Sequence, residues 1–214
     1  NFSSKEREKE LKTLMEYNKE NYKTSWLNKN VITFQENVFY SKEKELWKDY
    51  EVRKRIWINR SKYIEKHLSN ITEKDLLRGF KISGEHYGYS HFNPLWIKSF
   101  ILKYGINSIY DPTGGWGHRL LGSWGIEYAY NDISTEIYNN VLRLNDFVNS
   151  IYPSNNKTFT NKDATEYIPE KKFDAVFTCP PYHNVETYPS NNIIENYEEW
   201  LNNFWKKIVY NSYE

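Results

Sequence analysis

The 214-residue sequence holds a single cysteine, which excludes an internal disulfide and a zinc site built from several thiolates. No apolar run approaches the roughly 20 residues that a membrane-spanning helix needs. Residues 5–10 alternate basic and acidic side chains, so the N-terminus does not resemble a secretory signal. Net charge is only +1, and aromatic residues make up 18% of the chain, which argues against disorder. We therefore expect a folded cytoplasmic protein with no membrane partner.

Charge is distributed unevenly along the chain. Residues 1–80 carry 18 Lys and Arg against 13 Asp and Glu, whereas the remainder carries 11 against 15. A basic region beside a mildly acidic one is typical of a protein that meets a polyanion at one end. A solvated helical surface would give the same counts, so charge alone leaves both interpretations open.

The sequence pattern changes near residue 83. Residues 1–83 predict a basic, mostly helical region, which begins with the capping-box pair Ser3 and Glu6. From residue 84 onward, apolar runs alternate with helices that Asn93 and Ser134 cap. The helix after Ser134 is predicted to bury an apolar face with 4-3-4-3 spacing, formed by residues 137, 141, 144, 148 and 151. The alternation of apolar runs and helices predicts an α/β domain with an open parallel sheet. Its four strands are predicted at Ile106–Tyr110, Tyr128–Tyr130, Thr158–Thr160 and Phe173–Thr178.

A glycine-rich turn at residues 111–117 follows the first predicted strand. Such a turn lets the backbone approach a ligand at the carboxyl edge of the sheet. Asp132 comes 21 positions after Asp111, the spacing at which a carboxylate binds a ribose hydroxyl pair. Asp111 would repel a pyrophosphate, so a ligand here would carry a positive group. Taken alone, the turn is equally compatible with a purely structural role.

Residues 179–182, with the sequence Cys-Pro-Pro-Tyr, follow the fourth predicted strand. Two prolines directly after a strand stiffen the backbone and aim a carbonyl out of the sheet. Tyr182 then offers a flat aromatic face. A rigid carbonyl acceptor beside an aromatic ring can hold a planar amine, although a loop stiffened by prolines would have the same sequence.

The two turns together resemble the S-adenosylmethionine-dependent amino-methyltransferases of DNA, the N6-adenine and N4-cytosine class. Residues 111–117 fit that family's D-P-x-x-G-x-G cofactor motif, and residues 179–182 resemble its [D/N/S]-P-P-[Y/F] catalytic motif. Residues 118–122 and 89–94 are also similar to family sequences, and the match covers residues from about 84 to 210. The resemblance implies a Rossmann-like methyltransferase sheet with a helical N-terminal extension.

The resemblance also implies roles for individual residues. Methyl transfer from S-adenosylmethionine to the exocyclic amine of a flipped base would be direct, with no metal. The target base would lie against Cys179, Pro180, Pro181 and Tyr182. The cofactor would contact Tyr89, His91, Asn93, Asp111, Pro112, Thr113, Gly114, Gly115, Trp116, Gly117, Asp132, Ile133, Asp163 and Ala164.

Two departures from the family pattern stand out. Cys179 replaces an Asp, Asn or Ser, and a thiol is a poorer hydrogen-bonding group, so both the target base and catalytic competence stay open. The family's sheet has seven strands and only four are predicted here. The fourth strand would leave a long apolar strand exposed at the edge of the sheet, and proteins normally cover such an edge. We therefore expect either further C-terminal sequence or a second chain to complete the sheet.

The expected substrate is DNA in a bacterium or a phage-infected host. No recognition domain fits between Asp163 and Cys179, so base-specific contacts would come from elsewhere. Residues 42–66 form a basic predicted helix, with Arg53, Lys54, Arg55 and Arg60 as candidate phosphate contacts. Two alternatives remain: an RNA or protein-amide methyltransferase, and a non-catalytic cofactor- or DNA-binding subunit of a methyltransferase complex.

Overall fold

The computed structural model describes residues 2–18, 27, 29–35, 50–51, 54, 92–183 and 196–213, without the side chain of Ile32. The chain divides into two compact units, residues 1–35 with 92–214 and residues 36–91. The sheet and the N-terminal helices therefore belong to the same unit. The predicted helix at residues 42–66 falls in the second unit and, apart from residues 50–51 and 54, lies outside the described part of the chain.

Four parallel strands form one sheet in the order β3-β2-β1-β4. Within it, Ser108 pairs with Glu127, Tyr128 with Lys157, and Ile109 with Ala175. The predicted α/β class with a parallel sheet is thereby confirmed. The strands are β1 (Ser108–Asp111), β2 (Glu127–Asn131), β3 (Lys157–Thr160) and β4 (Ala175–Val176).

Helices flank the sheet, and several begin where the sequence predicts. The side chains of Ser3, Asn93 and Ser134 each accept a backbone N–H of the first helical turn, which confirms all three predicted caps. In the described segments no helix is long and apolar enough to cross a bilayer. The helices are α1 (Ser4–Met15), α2 (Lys29–Phe34), α3 (Pro94–Tyr104), α4 (His118–Gly122), α5 (Thr135–Ile151), α6 (Tyr197–Trp200), a π-helical turn (Leu201–Trp205) and α7 (Lys206–Tyr213).

Helix α5 supplies much of the core. The predicted apolar face at residues 137, 141, 144 and 148 is buried, as the 4-3-4 spacing requires. Ile151, predicted to continue that face, is instead 36% exposed. It is the last helical residue and lines an open pocket at the end of the helix, so the sheet does not cover it.

The fourth strand is shorter than predicted. Only Ala175 and Val176 pair with β1, and one further bond joins the Phe177 N–H to the Tyr110 carbonyl. Before the strand, the Asp174 carboxylate accepts the N–H groups of Asn107 and Ser108 and so replaces ladder bonds. After it, the two prolines have no N–H to donate. The expected long apolar edge at β4 is therefore wrong for the described residues.

A buried carboxylate joins the first two helices. Glu10, in α1, accepts hydrogen bonds from the backbone N–H groups of Lys29 and Asn30 at 2.8 and 2.9 Å and from the Asn30 side-chain amide at 2.8 Å. These N–H groups belong to the first turn of α2 and have no partner within that helix. Burial raises the pKa of Glu10, although the three donors favour its charged form. Glu10 thus caps α2 from a neighbouring helix.

Replacing Glu10 should destabilise the fold measurably. In Glu10→Ala, the N–H groups of Lys29 and Asn30 lose their acceptor in a buried position, and we expect the free energy of unfolding to fall by about 2 kcal/mol. Glu8→Ala removes an exposed carboxylate of the same helix that, among the described residues, is bonded to Ser4, and should cost less than about 0.5 kcal/mol. Urea denaturation followed by circular dichroism measures both, and equal effects would contradict the capping role.

Candidate functional site

Most of the described residues that were predicted to bind the cofactor or the target base lie at one edge of the sheet. All four strands are parallel, so the segments after their carboxyl ends share that edge: residues 112–117, 132–133, 163–164 and 177–182. The chain runs outward from β1 through β2 to β3 and then returns to place β4 on the other side of β1. In open α/β sheets, ligands bind where the strand order reverses in this way. That position lies between the turns after β1 and β4.

A buried ion pair stands at the end of β1. Asp111 is fully buried, and its Oδ2 accepts Arg119 Nε at 2.6 Å and the Tyr128 hydroxyl at 2.5 Å. Its Oδ1 accepts Arg119 Nη2 at 3.3 Å. The same guanidinium nitrogen also donates to the carbonyl of Thr113. The positive group that Asp111 faces in this structure is thus the side chain of Arg119.

Burial and charge act together on this cluster. Burial disfavours the charged guanidinium, but the Asp111 carboxylate more than offsets it, so the pKa of Arg119 is raised. Burial and Asp111 both raise the pKa of Tyr128 well above its usual value, which keeps its hydroxyl a donor.

The glycine turn is fastened to the end of β2. Gly114 N–H donates to the Asn131 carbonyl at 2.6 Å, and the Tyr130 hydroxyl donates to the Gly115 carbonyl at 2.7 Å. The buried side-chain amide of Asn131 donates to the Pro112 carbonyl at 3.0 Å. A Cβ on Gly114 would stand 2.1 Å from the Tyr130 ring, so only glycine fits there.

Gly117, at the other end of the turn, needs glycine for a different reason. Its φ of +92° lies in the left-handed region, and a Cβ would stand 2.8 Å from Leu144 of α5. The turn therefore approaches both β2 and α5 more closely than another residue would permit.

Asp132, after β2, faces the glycine turn. Its Oδ2 accepts the Gly115 N–H at 2.8 Å and its Oδ1 accepts the Ser134 N–H at 2.9 Å. Burial raises the pKa of Asp132, while these two N–H groups act in the opposite direction. A carboxylate can accept about four hydrogen bonds, so capacity for a ligand's hydroxyl groups remains. The neighbouring Ile133 is exposed.

Asp163, after β3, has one engaged oxygen. Its Oδ1 accepts the N–H and the hydroxyl of Thr165, both at 2.8 Å. Its Oδ2 accepts no hydrogen bond from the residues that the structure describes. Ala164 is buried, and its carbonyl accepts the side-chain amide of Asn211 in α7 at 3.1 Å. The C-terminal helix thus holds this turn against the sheet edge.

The Cys-Pro-Pro-Tyr segment adjoins the glycine turn directly. The hydroxyls of Thr113 and Thr178 lie 2.6 Å apart, one on each turn. Cys179 is exposed, and its Sγ lies 3.9 Å from the Tyr182 hydroxyl. Pro180 is buried, Pro181 is half-buried and Tyr182 is 56% exposed. A fixed backbone here carries an aromatic ring that is open to solvent.

The structure places the remaining predicted residues in other settings or does not describe them. Asn93 is buried as the cap of α3, and Trp116 is half-buried beside His118. Lys54, in the second unit, is exposed and lies 4.0 Å from Glu51. Tyr89, His91, Arg53, Arg55 and Arg60 lie outside the described residues.

Sequence reasoning missed four residues that organise this edge: Arg119, Tyr128, Asn131 and Thr178. The strand register puts Tyr128 and Tyr130 on the same face as Asp111, since Tyr130 pairs with Asp111. Tyr128 and Tyr130 alternate along β2, which was the one available signal. Contacts of Arg119 and Thr178 depend on which loops the fold brings together.

Comparison of the chain with protein-family models, curated proteins and solved structures gave no match.

Breaking the buried ion pair should be costly. Asp111→Asn or Arg119→Met leaves an uncompensated buried charge, and we expect each to lower the free energy of unfolding by about 3–5 kcal/mol. The double variant buries no unpaired charge and should lose less than the sum of the two. Chemical denaturation of the three variants measures this coupling.

The exposed pair Lys12–Glu16 gives the matched control, because Glu16→Gln should change stability by less than about 0.5 kcal/mol. Additive losses in the double variant would show that Asp111 and Arg119 do not depend on one another.

Proposed function

We propose that this chain carries an S-adenosylmethionine-dependent amino-methyltransferase site on a Rossmann-like sheet, and that its substrate is an exocyclic base amine in DNA. One observation carries the proposal. The glycine turn after β1 and the Cys-Pro-Pro-Tyr turn after β4 touch through Thr113 and Thr178 at the reversal of strand order. A cofactor turn and a target turn must adjoin in this way for direct transfer between two bound groups.

The donor and acceptor set fits an adenosine-bearing cofactor. Asp132 has acceptor capacity left at the position where a ribose is bound in such sheets, and Asp163 offers Oδ2 to an amine. A Cβ at Gly115 would make only ordinary van der Waals contact, 3.8 Å from Arg119 Nη2, so no atom crowds this side of the turn. The bound cofactor would supply an electrophilic methyl group on a sulfonium.

Asp111 holds the turn in place rather than touching a ligand. Its carboxylate is fully buried and both oxygens are occupied by Arg119 and Tyr128. The backbone of residues 113–117, which this pair fixes, is then the part that would face the methionine end. This differs from the role that the family resemblance implies for the same aspartate.

The turn after β4 would hold the target base. Tyr182 presents an exposed ring on which a flipped base can stack, and the Pro180 carbonyl would accept an amine hydrogen. Cys179 lies beside the Tyr182 hydroxyl and replaces the polar residue that family members carry. Whether the methylated amine is N4 of cytosine or N6 of adenine depends on how the Cys179 thiol contacts the edge of the target base.

Incubation with methyl-labelled S-adenosylmethionine tests the proposal. Double-stranded DNA, single-stranded DNA and RNA are each supplied, and the modified nucleoside is identified by mass spectrometry. We expect N4-methylcytosine or N6-methyladenine in DNA. Label found in RNA alone, or on protein alone, would show that RNA or protein, and not DNA, is the substrate. Cofactor binding without any transfer would instead support the non-catalytic subunit.

Substitution of Tyr182 tests binding of the target base separately from binding of the cofactor. Loss of one base-stacking contact is worth about 1–3 kcal/mol, so Tyr182→Ala should lower methyl transfer about ten- to a hundredfold. Its Kd for S-adenosylmethionine should stay within about twofold, since the cofactor turn is intact. Tyr182→Phe keeps the ring and should retain most of the activity.

Tyr210→Ala is the control, because Tyr210 is similarly exposed, at 62%, but lies on α7. A Tyr182→Ala variant as active as this control would remove Tyr182 from the site.

A further inference from the structure

A pocket lies at the edge of the sheet opposite the glycine turn. It has a volume of about 740 Å³, in the range of small-molecule sites. Trp124 and Gly125, which precede β2, and residues 152–156, which precede β3, form much of its wall. Met15 and Ile151 contribute apolar surface, and Lys98 of α3 contributes an ammonium group. The residues of the proposed methyltransferase site lie at the other edge of the sheet.

Two half-buried lysines, Lys98 and Lys157, lie against Trp124 beside this pocket. Lys98 Nζ donates to the Trp124 carbonyl at 3.2 Å. Lys157 Nζ donates to the Ile126 carbonyl at 2.6 Å, to Asn156 Oδ1 at 2.8 Å and to the Ser154 hydroxyl at 3.4 Å. An ammonium group has three protons, so Lys157 is saturated whereas Lys98 donates only one hydrogen bond within the described residues. Lys98 thus has hydrogen-bonding capacity for a ligand.

The positive charge at this edge is incompletely neutralised. Neither Lys98 nor Lys157 forms an ion pair with a carboxylate in the part of the chain that the structure describes. Burial lowers the pKa of Lys98 and, together with the charge of Lys98, lowers that of Lys157 to about 8. Glu127 acts in the opposite direction, but its carboxylate is bonded to Lys171. An anion at the pocket would relieve this repulsion.

We propose that this pocket binds a small phosphate monoester, with the phosphate on the Lys98 ammonium and the organic part against Met15 and Ile151. A phosphate presents several acceptor oxygens and up to two negative charges, which suits two neighbouring cations better than a single carboxylate does. The pocket is lined by polar residues, including Ser154 and Asn156, and by the apolar residues Met15 and Ile151. Such a mixed lining suits a ligand that has both a charged and an apolar end.

Phenyl phosphate, inorganic phosphate and benzyl alcohol are suitable probes, because none contains the adenine that the other edge would bind. Isothermal titration calorimetry with the whole chain should show phenyl phosphate binding more tightly than inorganic phosphate and benzyl alcohol not binding. Lys98→Met should weaken phenyl phosphate binding at least tenfold, whereas Lys98→Arg should stay within about threefold. Lys103→Met, on the exposed side of the same helix, should leave the affinity unchanged.

A measurement on the unaltered protein guards against a variant that fails to fold. Acetylation of lysines followed by mass spectrometry should show phenyl phosphate protecting Lys98 and leaving Lys103 reactive.

Absence of phenyl phosphate binding, equal binding by Lys98→Met and Lys103→Met, or equal protection of the two lysines would each overturn the proposal. Binding of inorganic phosphate as tight as that of phenyl phosphate would overturn the monoester assignment. The two edges are tested with different ligands, so a failure of methyl transfer and a failure here are distinguishable.

Discussion

The buried pair of Asp111 and Arg119 is the interaction on which the carboxyl edge depends. Two charges removed from water are tolerated only when they satisfy one another and their remaining hydrogen-bonding groups. Here the Tyr128 hydroxyl and the Thr113 carbonyl complete the set, so that strand β1, strand β2 and the glycine turn are joined through one carboxylate. Thr113 in turn contacts Thr178, which brings the turn after β4 into the same arrangement. A rigid edge of this kind is what a reaction between two bound groups requires.

The aspartates at this edge show how one residue type can serve different purposes. Asp111 is fully buried, and both of its oxygens accept hydrogen bonds from Arg119 or Tyr128. Asp132 and Asp163 each accept hydrogen bonds from nearby backbone N–H groups and can accept further hydrogen bonds from a ligand. The carboxylates that hold the fold and those that could hold a ligand are therefore distinguished by their partners rather than by their position after a strand.

Much of the local structure was predictable because it depends on short-range interactions. The caps at Ser3, Asn93 and Ser134 and the buried face of α5 are set by residues within one or two turns. The length of β4 was not predictable, because the Asp174 carboxylate takes up the N–H groups of Asn107 and Ser108, which are distant in sequence. The partners of Asp111 were not predictable either, since Arg119 and Tyr128 reach it only through the fold of the turn and the strand register.

The sequence by itself determined that the chain forms an α/β domain with parallel strands, where most of its elements begin, and that two glycine- and proline-marked turns follow the first and fourth strands. Periodicity and turn residues encode these features locally. Only the tertiary structure decided that the two turns touch, that Asp111 faces a protein guanidinium, and that Lys98 and Lys157 both lie against Trp124 at the opposite edge. Thr113 and Thr178 are far apart in the chain, and strand order, which local sequence does not specify, brings them together. Arg119 is only eight residues from Asp111, but its contact depends on how the glycine turn between them folds.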